Sequence, residues 1–239
     1  MADLRVGQDD EDLARLAADH FIGQGREALA KRGRFNAALS GGRGPLGLFR
    51  ALAGRPGDLD WSKVTLYWVD ERYVPFKDPD SNFGAACRLW LDALSAGPTL
   101  RPMFKEGMDA ETASRDYAAL LRSELGPGTP VLDLCLLGMG PDGHTASLFP
   151  GQPSLSESSR LCLAVRHPSS GQERLTLTYP VLNASRNVAF IANGAEKAAL
   201  LAQVLAGAAD VPAARVRPAQ APVWFVDRAA ASKIQAVDA

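Results

Sequence analysis

VLDLCLLGMGPDGHTASLFPG, residues 131–151, runs an almost wholly apolar octapeptide straight into a turn. From Gly138 to Gly151 that turn packs four glycines, two prolines, one aspartate and one histidine into fourteen positions. The octapeptide reads as a buried strand, and the glycines stop it. The chain holds only three histidines, so one at the end of a buried strand needs a reason.

The same alternation repeats outward from this stretch. FNAALSGG (35–42) reads as a short buried strand ending on glycines. GPLGLFRALAG (44–54) opens with proline in its first turn and closes on glycine, which predicts a helix. VTLYWVDE (64–71), β-branched and aromatic, predicts a strand that ends on carboxylates. Residues 10–32 place Leu13, Leu16, Ala17, Phe21, Ala28 and Leu29 at helical spacing, an amphipathic first helix. Further helices are expected over 81–94, capped by Ser81 or Asn82, and over 109–125 from Asp109. Residues 161–167 and 174–180 are strand-like and suit an inserted hairpin or irregular segment. NVAFIANG (187–194) is a clearer strand that runs into a helix over 195–207, and APVWFVD (221–227) is the last strand. Strands alternating with helices predict an α/β fold: a mostly parallel, doubly wound, Rossmann-like sheet with helices on both faces. With no linker-like tract, residues 1–239 are expected to form a single domain.

Composition narrows the function. The formal net charge of −1 gives no support to a nucleic-acid or membrane surface as partner. No apolar run approaches the roughly 18–20 residues that span a bilayer. The acidic N-terminus lacks the apolar core of a signal peptide. Cys87, Cys135 and Cys162 are odd in number and show no Cys-x-x-Cys spacing. A cytoplasmic protein with reduced, buried thiols and a small-molecule substrate is the expectation.

In open α/β sheets ligands bind outside the carboxyl ends of the strands. Four expected strand ends carry glycines or charges: Ser40-Gly41-Gly42-Arg43-Gly44-Pro45, Asp70-Glu71-Arg72, the turn from Gly138 to His144, and Asn193-Gly194-Ala195-Glu196-Lys197. A glycine-rich turn before a helix offers backbone N–H groups and the positive dipole end to an anion. Lys197 stands in a first helical turn, where the dipole disfavours a cation, a placement that makes sense opposite a bound phosphate. Neither turn matches a nucleotide-binding loop. Asp142 and His144 flank Gly143, a spacing that aims both side chains into one cleft. A carboxylate beside a histidine holds its tautomer and suits it to general-base work. Each feature also has a plain reading: a solvated lysine, a turn-capping histidine, a strand-end ion pair at Asp70, Glu71 and Arg72. His20 and His167 read as structural. No ligand cluster at metal spacing and no Gly-x-Ser-x-Gly elbow occur, so no metal is expected.

Taken together, LSGG, VDERYVP, SNFG, GMGPDGHTASLFPG, ERLTLTYPVLNAS and NGAEKA resemble the glucosamine-6-phosphate isomerase/6-phosphogluconolactonase family over roughly residues 35–205. The resemblance implies a parallel α/β fold, no cofactor, and hydrolysis of 6-phosphoglucono-δ-lactone to 6-phosphogluconate in the oxidative pentose phosphate pathway. It implies catalytic roles for His144, Asp142 and Arg72. It implies substrate binding by Gly41, Gly42, Asp70, Arg174 and Lys197, with the phosphate on Arg174 and Lys197. One departure stands out: where the family has two Ser/Thr residues after SGG, this chain has Arg43 and Gly44. Either Arg43 takes over part of the phosphate contact, or it points into solvent and the backbone N–H groups alone hold the anion.

Two other readings fit the fold. The aminosugar-phosphate isomerase/deaminase branch resembles DEY where this chain has DER, and carries a carboxylate soon after its histidine; here none lies between His144 and Pro150. A sugar-phosphate sensor would need a DNA-binding module, and no basic segment supplies one.

Overall fold

The computed structural model describes residues 3–234. Its strands are β1 (Asp3–Gly7), β2 (Phe35–Leu39), β3 (Val64–Trp68), β4 (Asp70–Arg72), β5 (Thr99–Arg101), β6 (Leu134–Gly138), β7 (Cys162–Arg166), β8 (Glu173–Leu177), β9 (Val188–Ala192) and β10 (Val223–Asp227). Its helices are α1 (Asp10–Arg32), α2 (Arg43–Ala53), α3 (Asn82–Leu89), α4 (Ala110–Leu125), α5 (Tyr179–Ala184), α6 (Ala198–Leu205) and α7 (Arg228–Ala231).

Seven strands form a wholly parallel sheet in the order β1-β10-β9-β6-β2-β3-β5. Every residue of β2 and β9 is buried, as a sheet covered on both faces requires. Right-handed crossovers put α1, α2 and α3 on one face and α4, α5 and α6 on the other. The packing of α1 on α2 and of α2 on α3 agrees. The chain first steps outward from β2 to β3 and β5, then returns to lay β6 on the other side of β2. That reversal makes the gap between β2 and β6 the topological switch point, where such sheets bind ligands.

Local chemistry explains the main boundaries. Asp9 caps α1 by accepting from the Asp12 N–H at 2.8 Å, and Gly33, at φ 70°, ends it. Asp109 caps α4 through the Thr112 N–H at 2.9 Å. Under the sheet Phe21, Phe35, Phe49, Trp61 and Trp90 pack edge-on or stacked, while Phe190 stacks on Trp224 at 4.0 Å. Fully burying such a side chain contributes about 1.5–3 kcal/mol. The thiols of Cys135 and Cys162 are buried and free, as expected.

The expected strand 64–71 proves to be two. At Val69 the chain leaves the parallel sheet, and β4 joins a second, antiparallel sheet of order β4-β8-β7. This is the segment anticipated as an inserted hairpin. β1 and β5 escaped sequence reading: β1 is mostly exposed and β5 has only three residues. The helix expected over 195–207 opens as a 3-10 turn, Ala195–Lys197, because Gly194 enters it at φ 103°. Tyr179–Ala184, read partly as strand, is helical, with Pro180 in its first turn.

His20 packs on Phe225 at 5.2 Å, and its Nε2 is buried without a partner. Burial, with Arg5 nearby, pushes its pKa down to about 4. The unfolded chain therefore takes up a proton that the folded one refuses. Stability is complete above the ordinary histidine value and falls as pH drops from about 6.5 towards 4, by at most about 1.4 kcal/mol per pH unit. Urea titrations across that range should give a shallower slope for His20→Leu than for the parent chain. Equal slopes would remove His20 as the cause.

Candidate active site

At the carboxyl ends of β2, β6 and β9 lies a cavity of about 370 Å³. Gly41, Gly42, Arg43, Asp70, Arg72, His144, Arg174 and Lys197 all line it, and Asp142 stands directly behind His144. The four strand ends read from the sequence thus meet at the switch point.

The histidine loop is built by its glycines. Thr145 Oγ1 donates to the Gly138 carbonyl at 2.8 Å, and the Gly140 N–H to the His144 carbonyl at 2.9 Å, so the loop closes on itself. Gly143 takes φ 82°, a left-handed turn that side chains resist. At Gly140 a Cβ would lie 2.2 Å from both Cε1 and Nδ1 of His144, so only glycine admits the imidazole. Asp142 Oδ1 lies 2.6 Å from His144 Nδ1 and also accepts the His144 backbone N–H at 3.2 Å. Bonded to a carboxylate, Nδ1 carries the proton, which leaves the Nε2 lone pair free. Burial works against ionising Asp142, but the adjoining imidazole and these hydrogen bonds hold its carboxyl below the usual range. Phe149 packs against the imidazole at 5.0 Å, and His167 meets the same phenyl ring at 5.0 Å. His167, read as structural, therefore packs on the same ring as His144.

The three residues of the DER stretch divide the work. Asp70 is buried; its Oδ2 accepts from Ser147 Oγ at 2.8 Å and its carbonyl from Asn82 Nδ2 at 3.0 Å. Ser147 follows Ala146, which at φ 48° is the one non-glycine residue with positive φ among those described. Such a strained residue persists only where its surroundings hold it, and Ser147 supplies the hold. Glu71 is fully buried and caps α3: Oε1 accepts from the Asn82 and Arg72 N–H groups at 2.7 and 2.9 Å, Oε2 from the Phe83 N–H at 2.8 Å. Burial pushes Glu71 up to about 7 against those donors. Arg72 turns to the cleft.

Arg43, Arg72, Arg174 and Lys197 give the cavity its charge. Among the described residues none of them joins an ion pair. The Nε atoms of Arg72 and Arg174 are buried without any partner. Burial and the neighbouring Arg72 hold Arg174 below the ordinary arginine value. Burial, with Arg43 nearby, does the same to Lys197 despite Glu196. Arg72 donates to the Asp80 carbonyl at 2.7 Å and has no hydrogen bond to His144; orienting the imidazole falls to Asp142. The glycine turn after β2 is equally committed: a Cβ on Gly41 would lie 1.8 Å from Asn82 Oδ1, and one on Gly44 2.7 Å from Ile191 Cγ2. Gly42, at φ 92°, starts α2 with no side-chain cap, so its first N–H groups are open to an anion. Among the described residues no group of three or more His, Cys, Asp and Glu could hold a metal ion.

Of the two caps expected for α3, Ser81 is the one used, its Oγ accepting from the Gly84 N–H at 3.0 Å. Sequence reading missed the contact of Asn82 with Asp70, Ser147 and the part Glu71 plays at the same helix start. The SNFG signal marks Asn82, but nothing local marks Ser147.

The family of glucosamine-6-phosphate isomerases/6-phosphogluconolactonase matches residues 8–225. A 6-phosphogluconolactonase of Streptomyces coelicolor is 38% identical over 245 residues, covering 97% of this chain and 94% of that protein. One from a Nostoc species is 39% identical over 244 residues, covering 97% and 98%. The crystal structure of devB protein superposes with a TM-score of 0.87 at 31% identity, covering 98% of this chain and 100% of that one.

Gly140→Ala tests the construction of the loop. Gly140 does not take a positive φ, so alanine is tolerated by the backbone, and the added Cβ conflicts with the imidazole and with Asp142 Oδ1, 2.8 Å away. The ring should leave Asp142, read as altered His144 ring nitrogen shifts in NMR spectra of a folded protein. Unchanged shifts would contradict this account.

Proposed function

The chain belongs to the glucosamine-6-phosphate isomerase/6-phosphogluconolactonase family, and from that membership we propose that it hydrolyses 6-phosphoglucono-δ-lactone to 6-phosphogluconate, the lactone-opening step of the oxidative pentose phosphate pathway. Within the family the isomerase/deaminase reading is disfavoured by the absence of a carboxylate between His144 and Pro150. The observation that carries the proposal is the 2.6 Å contact of His144 with Asp142 at the wall of a cleft holding four cations without ion pairs.

A δ-lactone is an activated ester, so its hydrolysis needs a directed water and a proton for the departing ring oxygen. Neutral His144 takes a proton from water at Nε2 as the water oxygen bonds to C1. The tetrahedral intermediate then collapses, the bond from C1 to the ring oxygen breaks, and His144 returns the proton to that oxygen. Asp142 stabilises the imidazolium in between and holds the ring in place. No covalent intermediate is needed. Arg174, Lys197 and the open N–H groups after Gly42 bind the phosphate, and Arg72 adds to the same positive field. That remote binding energy positions C1 against the base.

Replacing His144 by alanine should lower kcat by about 100- to 10,000-fold, the usual loss of a general base, with 6-phosphogluconate affinity retained. Near-normal turnover by folded His144→Ala would sink the mechanism. Failure of the parent chain to hydrolyse the lactone above its spontaneous rate would sink the function itself.

Arg43 is exposed, unpaired, and close enough to Lys197 to depress it. A guanidinium there reaches a phosphate between the two. Arg43→Ser should therefore weaken 6-phosphogluconate binding and flatten its dependence on salt, measured by calorimetry at low and high ionic strength. A salt slope equal to that of the parent chain would place Arg43 outside the phosphate contact.

A further inference from the structure

Arg72 and Arg174 are direct partners across the antiparallel pair of β4 and β8. Like charges facing each other across strands repel. Among the described residues neither guanidinium meets a carboxylate, and both Nε atoms are buried without a partner. Two long, mutually repelling side chains would be expected to splay apart into solvent. Both nevertheless line the cleft, and a bridge links their outer ends.

Gln172 makes that bridge. Its Oε1 accepts from Arg174 Nη2 at 3.1 Å, and its Nε2 donates to Asp80 Oδ2 at 2.9 Å. The main-chain carbonyl of Asp80 accepts from Arg72 Nη1 at 2.7 Å. One amide thus ties Arg174, through Asp80, to Arg72. Gln172 is itself held by the turn between β7 and β8. The His167 N–H donates to the Gln172 carbonyl at 2.9 Å, the Gly171 N–H to the His167 carbonyl at 2.9 Å, and Gly171 takes φ 69°. A neutral amide suits this position. It accepts from a cation on one side and donates to a carboxylate on the other, which no charged side chain of that length does.

We propose that Gln172 is a positioning residue for anion binding: by linking Arg174 to Asp80 it holds the Arg72–Arg174 pair as one receptor for the phosphate of the substrate. This rests on the reading of the cleft as a phosphate-binding lactonase site. Gln172 lies outside the chemistry, so its contribution is to binding and not to the proton transfers at His144. Held in place beforehand, the arginines lose less freedom when the anion arrives.

The experiment measures 6-phosphogluconate and gluconate affinity by calorimetry, lactone kcat and KM, and thermal unfolding, for Gln172→Ala with and without Arg174→Ala. Gln172→Ala should weaken 6-phosphogluconate by about fivefold, the scale of one ordinary net hydrogen bond. KM should rise in parallel, while kcat, the unfolding temperature and gluconate affinity stay unchanged. In the Arg174→Ala background Gln172→Ala should cost nothing more, because its partner is gone. Gln172→Glu should not rescue, since it loses the donor to Asp80 and opposes that carboxylate. An unchanged 6-phosphogluconate affinity in Gln172→Ala, or the same loss with Arg174 already removed, overturns the proposal. Absence of lactone turnover in the parent chain would instead refute the lactonase reading, and the binding arms would still decide the role of Gln172.

Discussion

Val69 belongs to both sheets. Its N–H donates to the Leu39 carbonyl of β2 at 2.9 Å, and its carbonyl accepts the Leu177 N–H at the end of β8 at 2.7 Å. Between those two bonds the chain passes from a buried parallel sheet to a small antiparallel one. The site follows from that transfer. Had the strand continued straight, Asp70, Glu71 and Arg72 would extend the parallel sheet beyond β3. Turned aside at Val69, they lie against β8 instead, with Arg72 opposite Arg174 and Asp70 opposite Thr176. Thr176 in turn receives the Ser147 N–H at 3.1 Å, and Asp70 receives the Ser147 hydroxyl. The small sheet is thereby fastened to the histidine loop.

Much of this was legible in the sequence, and the exceptions have physical reasons. The strand ends could be read because a glycine or a charge after an apolar run is a local signal. The change of sheet at Val69 could not, since VTLYWVDE has the pattern of one continuous strand and no residue in it breaks a ladder. The bond from Ser147 to Asp70 joins residues 77 apart in the chain, and that from Gln172 to Asp80 residues 92 apart. Side chains that matter only through such distant partners leave no periodicity. Glu71 illustrates a third case: its residue type was noticed, but its burial beneath the first turn of α3 depends on where β4 had been placed.

The two ends of the parallel sheet treat charge in opposite ways. At the amino ends, buried Asp133 is satisfied: Arg32 lies at 2.8 Å, Arg186 at 3.4 Å, and the Asn36 N–H donates at 2.9 Å. At the carboxyl ends, four cations crowd one cavity without a carboxylate partner. Partly burying unpaired cations costs free energy, and the depressed values of Arg174 and Lys197 are its signature. Such an arrangement suits the phosphate binding proposed for this cleft. The overall charge of −1 hides this asymmetry entirely.

The proposed catalysis by one histidine requires that its tautomer, position and tilt all be set before substrate arrives, and three residues divide that task. Asp142 sets the tautomer through Nδ1. Gly140, by lacking a Cβ, permits the position. Phe149 sets the tilt, and it is the only one of the three that also reaches the phosphate side, because the Arg174 guanidinium lies over its ring at 5.7 Å from the centre. His144 and Arg174 therefore both pack against one buried phenyl ring. A phosphate drawing on Arg174 acts on a side chain packed against the same surface that orients His144. On the proposed reading, the phosphate contact and the base thus share one buried side chain as a common support.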